Sequence, residues 1–393
     1  MAIPDSGILE VPRTWGRPAW TGLVLAALVS GAPAAAQHGD AADALFVTAG
    51  TCMACHNGLV SPDGRDLSFG TRWRASMMAN AARDPYWQAA VKRETLDHPD
   101  AAAAIQDECS KCHMPMARFE AHAAGGEYAS FGNLPWQAGS TPRAHALAAD
   151  GVSCTVCHQI EPGGLGEEAT FTGEFRVDTG TPMGRRAVYG PYDVAPGPSR
   201  AMASSGGFRP TAGEHIRESG LCASCHTLFT HARNDDGEVV GELPEQVPFL
   251  EWLHSEYRDE RSCQGCHMPE VGAGTPISSV LPTPRAGVRR HVFRGGNFFI
   301  PRVFNTFRSE LAVEALAAEL DGLVAATEAF LSSSAAGLAV EDGAIDDGVL
   351  GFEVAATNLA GHKLPTAYPS RRAWLHVTVR DADGRTVFES GRL

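Results

Sequence analysis

Apolar residues gather in three places along the chain. The first is a short run near the N-terminus, Ala19–Ser30. The second is Arg308–Ser334, where Ala, Leu and Glu recur at helical spacing and predict one long helix. After it the period shortens. Val349–Thr357, Ala373–Arg380 and Arg385–Glu389 alternate as strands do, with Asp381–Gly384 as the turn joining the last two. Three such strands predict an incomplete, sandwich-like β-segment, so that the chain is either a fragment or pairs its strands elsewhere. Between residues 37 and 307 the pattern predicts only short helices, joined by Gly/Pro loops such as Glu161–Gly166 and Gly190–Gly207.

Composition sharpens this picture. The 393 residues suggest two or three units. Gly 42 and Pro 25 are high for a chain that is 44% hydrophobic, which points to a core not built mainly from aliphatic side chains. That apolar fraction excludes disorder of the whole chain. A formal charge of −14 argues against nucleic acid, which is bound by neutralising phosphates. The N-terminal run reads as an export signal: Arg13 and Arg17 precede it and Ala34–Ala36 supplies a cleavage site. The run is too short to span a bilayer, so no transmembrane span remains after cleavage before Gln37. The expected location is the periplasm or the cell exterior.

Export would ordinarily turn ten cysteines into five disulfides. Here all ten fall into one repeated pattern, C-x-x-C-H. The motifs are Cys52/Cys55/His56, Cys109/Cys112/His113, Cys154/Cys157/His158, Cys222/Cys225/His226 and Cys263/Cys266/His267. Two thiols so spaced add to the two vinyl groups of haem, and the histidine that follows reaches the iron from the proximal side. Structural zinc does not require a histidine after every second cysteine, and a thioredoxin-like motif would occur once. The chemistry indicated is five covalently attached c-type haems. With about 50 residues per motif, the cofactors themselves must form the core.

The resulting fold class is a mainly α, loop-rich multihaem cytochrome c, followed by a helix and a partial β-sandwich-like segment. The expected division is a signal peptide over 1–36, a pentahaem domain over 37–300, a helical connector over 301–335 and a β-rich segment over 336–393. An internal repeat is also visible. Trp73-x-x-Ser76-x-Met78 precedes the second motif, Trp252-x-x-Ser255-x-Tyr257 precedes the fifth, and Cys-His-Met-Pro occurs at Cys112–Pro115 and Cys266–Pro269.

These motifs, with His145 ahead of the third, His215 ahead of the fourth, HVFRGGN at His291 and GHKLPT at Gly361–Thr366, resemble the multihaem cytochrome c superfamily. That group includes the tetrahaem electron carrier of nitrifying bacteria, pentahaem nitrite reductase and octahaem hydroxylamine oxidoreductase. The resemblance implies haems stacked in alternating parallel and perpendicular pairs. Nitrite reductases of this kind typically replace one proximal histidine with lysine, and here all five are histidine, which counts against that activity.

The second axial ligands separate electron carriage from catalysis, since an open iron can take substrate. Ten other histidines remain: His38, His98, His122, His145, His215, His231, His254, His291, His362 and His376. By resemblance His145 and His215 stand where relatives place distal ligands. His291 precedes a Gly pair that permits close backbone approach, and His362 lies in a tight Gly-His-x-x-Pro turn. Met78, at the repeat position, is the fifth candidate; a thioether there would raise that haem's potential. His122, His231 and His254 rank lower, and His38 and His376 are poor candidates. The leading expectation is an electron carrier whose acidic surface meets basic redox partner proteins, with an oligomer or a filament as a further arrangement. The alternative is an oxidoreductase acting on nitrite, hydroxylamine or a sulfur oxyanion at one open haem, with Arg72, Arg74, Arg93 and Tyr86 near enough in sequence to assist.

Overall fold

The computed structural model describes residues 44–136, 142–272 and 274–392. The expected signal peptide and His38 lie outside the described residues. Helix accounts for 37% and strand for 18%, so helices set the frame and strands occur only in pairs.

Short helices dominate the first two thirds, because proline starts many of them and glycine or a turn soon stops them. Pro85–Asp97 shows the device at its N-terminus. Asp84 accepts from the Tyr86 amide at 2.9 Å, and Pro85 takes the first position, where no amide is needed. With Ala102–His113 and Pro115–Ala123 this helix packs around Leu45, Phe46, Trp87, Val91, Met114 and Met116.

Each C-x-x-C-H motif sits at a helix end. His56, His113 and His267 close the helices Ala49–His56, Ala102–His113 and Cys263–His267. His158 caps Cys154–Cys157, and the fourth motif begins within Ser219–Ala223. On a helix, positions i, i+3 and i+4 share a face, so both sulfurs and the imidazole emerge together.

The tryptophan repeat is structural. Trp73 Nε1 donates to the Val152 carbonyl at 2.9 Å, two residues before Cys154. Trp252 Nε1 donates to the Arg261 carbonyl at 3.0 Å, two residues before Cys263. In both copies the serine amide closes a turn onto the tryptophan carbonyl, Ser76 at 2.8 Å and Ser255 at 3.0 Å. The first indole therefore braces the third motif, although the second follows it more closely in sequence.

The long helix is shorter than its apolar spacing suggests, spanning Ala317–Ser334. A separate helix, Phe299–Thr306, packs against it through Phe304, Leu320 and Leu323. Ala312, at φ 52, breaks the chain between them. Buried Arg83 fixes that break by donating to the Ala312 carbonyl at 2.7 Å and to the carbonyls of Ala79 and Ala149. Glu319 restarts the helix by accepting from the Leu316 amide at 2.9 Å, and it also holds Arg74.

The β-rich end is not a sandwich. It consists of two separate antiparallel hairpins, Ala336–Asp346 with Val349–Asn358 and Val377–Arg380 with Thr386–Ser390. Three further strand pairs lie earlier: Arg186–Gly190 with Phe208–Ala212, Leu228–Arg233 with Val239–Gln246, and Thr275–Pro276 with Pro284–Arg285. The expected loop at Gly190–Gly207 contains a helix, Pro196–Gly206, begun by proline and ended by Gly207 at φ 76.

Between the two C-terminal hairpins the chain forms a strap, residues 359–373, that returns to the motif region. Glu251 fastens it, accepting from the Lys363 amide at 2.9 Å and from the Thr366 hydroxyl at 2.5 Å. Tyr368 adds an edge-on contact with Tyr86 at 5.8 Å.

Candidate functional site

The five motifs open onto one continuous cavity of about 1800 Å³. An ordinary small-ligand cleft occupies roughly 300–1,000 Å³. All five motif histidines line it, as does every motif cysteine except Cys55. None of the ten thiols is in a disulfide.

Four of the five motif histidines are oriented by a backbone carbonyl. Nδ1–H of His56 donates to the Ile277 carbonyl at 2.6 Å and that of His113 to Ala81 at 2.8 Å. His158 donates to Tyr189 at 2.6 Å and His267 to Arg294 at 2.5 Å. Such a bond fixes the tautomer and the ring plane, and it leaves Nε2 bare for a metal. Burial pushes His113 down to about 4, against the opposing pull of its bond to Ala81, so the ring stays neutral as a ligand must.

Two of these rings face a second imidazole. His158 and His291 have centroids 6.2 Å apart with planes 18° from parallel; His267 and His362 stand 6.4 Å apart at 13°. With a metal–nitrogen bond of about 2 Å and a centroid roughly 1.1 Å beyond the nitrogen, two imidazoles on opposite sides of one metal have centroids about 6.2 Å apart. Both distal candidates also commit Nδ1 to a carbonyl, His291 to Arg289 at 3.2 Å and His362 to Lys363 at 3.0 Å. No hydrogen bond of either Nε2 is seen among the described residues. No second histidine ring lies at this spacing from His56, His113 or His226 among the described residues.

The other candidates are distributed differently. Met78 lines the cavity. His145 and His215 are absent from its lining, and each commits Nε2 to a carbonyl, Leu134 at 3.2 Å and Ile160 at 3.0 Å. His122 binds Asp107 and His376 binds Glu389, both away from the cavity. Arg74 and Arg93 are occupied by Glu319 and Asp97; Tyr86 reaches the wall. His231 lines it beside the acid Glu242.

Sequence reasoning gave His98 no role, yet it lines the cavity with Nδ1 buried and unbonded among the described residues. Its position between a helix end and Pro99 carries no motif that would single it out.

The motifs also touch one another. Cys52 and Cys154, Cys222 and Cys263, and Cys225 and Cys112 lie close enough for one thiol to shift its neighbour's ionisation. The fourth motif is thus a meeting point for the second and fifth. A wide apolar cavity, paired thiols at its wall, neutral imidazoles with bare Nε2 and orphaned donors on Trp87 and His98 together fit covalently attached haem.

One solved structure with a similar fold is a penta-haem cytochrome c552 from Thermochromatium tepidum, with a TM-score of 0.52 at 18% identity, covering 87% of this chain and 73% of that one. The chain shares its fold with a multihaem cytochrome. No family model matches the sequence, and no curated protein matches it. Among the described residues no helix is long and apolar enough to cross a membrane.

Proposed function

We propose that this chain is an exported pentahaem c-type cytochrome that relays electrons between redox partners. The observation that carries the reading is the opposition of His158 to His291 and of His267 to His362 across a cavity into which all five motifs open. The c552 cytochrome of similar fold, a penta-haem protein by its description, supports the same reading.

When bound, the haems supply one-electron chemistry at closely spaced irons. The chain's own residues do the rest. The cysteine pairs hold each group in register, and contacts between neighbouring motifs keep the centres close. Backbone carbonyls at Ile277, Ala81, Tyr189 and Arg294 aim four proximal imidazoles. His291 and His362 would hold the second positions at two of these centres and so would bar small molecules from them. Met78 is the candidate thioether; His145 and His215 retain only Nδ1 for such a role. The acidic surface favours partners with basic docking faces.

A second reading, an oxidoreductase for a small nitrogen or sulfur compound, is favoured because, among the described residues, no imidazole stands opposed to His56, His113 or His226. Low-temperature EPR of the oxidised protein, with and without nitrite or hydroxylamine, separates the two. The carrier is expected to show only low-spin ferric haem, unchanged by either addition. A high-spin signal that shifts on addition would transfer the reading to the enzyme.

A further inference from the structure

Trp73, Trp252 and Trp374 each donate an indole N–H to a backbone carbonyl. Trp87 does not. Its Nε1 is buried without a partner among the described residues, on a side chain only 8% exposed. The ring lies flat on the imidazole of His113, with centroids 4.3 Å apart and planes 5° from parallel. The two reach this stack from different helices, Trp87 from the first turn of Pro85–Asp97 and His113 from the end of Ala102–His113. Both line the cavity, together with Cys109 and Cys112 of the same motif. The indole therefore stands beside the second centre, on the side from which His113 would reach the iron. A buried donor left unpaired costs the full desolvation of that group, so one kept on a cavity wall awaits an acceptor inside the cavity. His113 is not that acceptor: an indole N–H lies in its own ring plane, and in a parallel stack it points past the imidazole. Haem offers little choice of partner. Its pyrrole nitrogens hold the iron, and its rim is apolar except for two propionate carboxylates.

We infer that Trp87 donates its indole N–H to a propionate of the haem attached at Cys109 and Cys112, while its ring holds the plane of His113. The inference rests on the pentahaem reading. The Ala81 carbonyl and the indole act on the same imidazole, the one setting its tautomer and the other its rotation. A hydrogen bond to a carboxylate draws off part of its negative charge. That charge favours the ferric state of the iron beside it, so Trp87 raises the potential of the second centre.

The test begins with haem content, by mass and by pyridine haemochrome, for the wild type and for Trp87→Phe and Trp374→Phe. A wild-type count below five overturns the pentahaem reading itself, before any potential is measured. Resonance Raman spectra and spectroelectrochemical titration follow. W87F keeps an aromatic ring against His113 and removes the donor. It is expected to shift the propionate bending bands of one haem and to lower one of the five potentials. The fall should change that centre's reduced-to-oxidised ratio several-fold at its wild-type midpoint. W374F, whose indole bonds Gly391 outside the cavity lining, changes neither. A third variant carries benzothienylalanine at position 87, which matches the indole in shape and has sulfur in place of N–H. It is expected to reproduce W87F, and it carries the comparison should W87F fail to accumulate. Unaltered propionate bands and potentials in both variants overturn the inference, and a buried water is then the donor's partner. A potential that moves in W87F but not with the sulfur analogue also overturns it, because the stack alone accounts for the change.

Discussion

Individual side chains in this protein serve mainly to aim other side chains. Trp73 and Trp252 are large enough to look like cofactor contacts, yet their recurring act is an indole bond to the carbonyl two residues ahead of a motif. Trp73→Phe keeps most of the apolar surface and leaves the Val152 carbonyl unpaired. It is expected to cost about 1–3 kcal/mol of stability without changing haem content, read as a lowered melting temperature at an unaltered Soret-to-protein ratio. At this scale the motif histidines could be read from consecutive residues, and the structure places all five on the cavity wall. His291 and His362 were named from their glycine-containing surroundings. What the sequence hid was the ring nitrogen each histidine has free. His145 and His215 stand close ahead of motifs but hold Nε2 on carbonyls, and only the fold reveals those partners.

Elements are set by where chain direction is forced to change. The long apolar period from Arg308 is real as a pattern, but Arg83, distant in sequence, holds the Ala312 turn and moves the helix start to Ala317. The strand Ala336–Asp346 escaped notice because Gly, Ala and Asp dilute its alternation, and its pairing with Val349–Asn358 supplies what propensity does not. The helices Ala102–His113 and Pro115–Ala123 are joined by charge. Asp107 accepts from Arg118 at 2.8 Å and from His122 at 2.5 Å. Burial would raise the Asp107 carboxyl, but those two partners outweigh it and hold the group below its ordinary 3.8. A depressed carboxylate contributes stability that is complete above the unfolded value and is lost as pH falls through the folded one. Melting temperature is therefore expected to drop below about pH 4 in the wild type, and Asp107→Asn should flatten that limb. An equal acid limb in both proteins would remove Asp107 from the account.

At the largest scale, the described residues wall one large cavity. The cavity wall is mostly apolar, so without a filling the chain would hold a large apolar surface against water. Replacing all ten motif cysteines with alanine is expected to abolish cooperative unfolding in calorimetry and to expand the chain in small-angle scattering. A sharp melt in that variant would show that polypeptide packing alone suffices. Low aliphatic content beside abundant Gly and Pro announced this hollow design in the composition. The return of the C-terminal chain to the cavity was not announced, because Glu251 and the strap it fastens are far apart in sequence.

That return has a consequence for biogenesis. The strap, fastened by Glu251, lies along the cavity and places His362 on its wall. A strap latched there before bulky groups arrived would stand in their way, so attachment at the earlier motifs is expected to precede latching. Synthesis from the N-terminus delivers the parts in the same sequence, with all five attachment motifs emerging before the segment that closes over them.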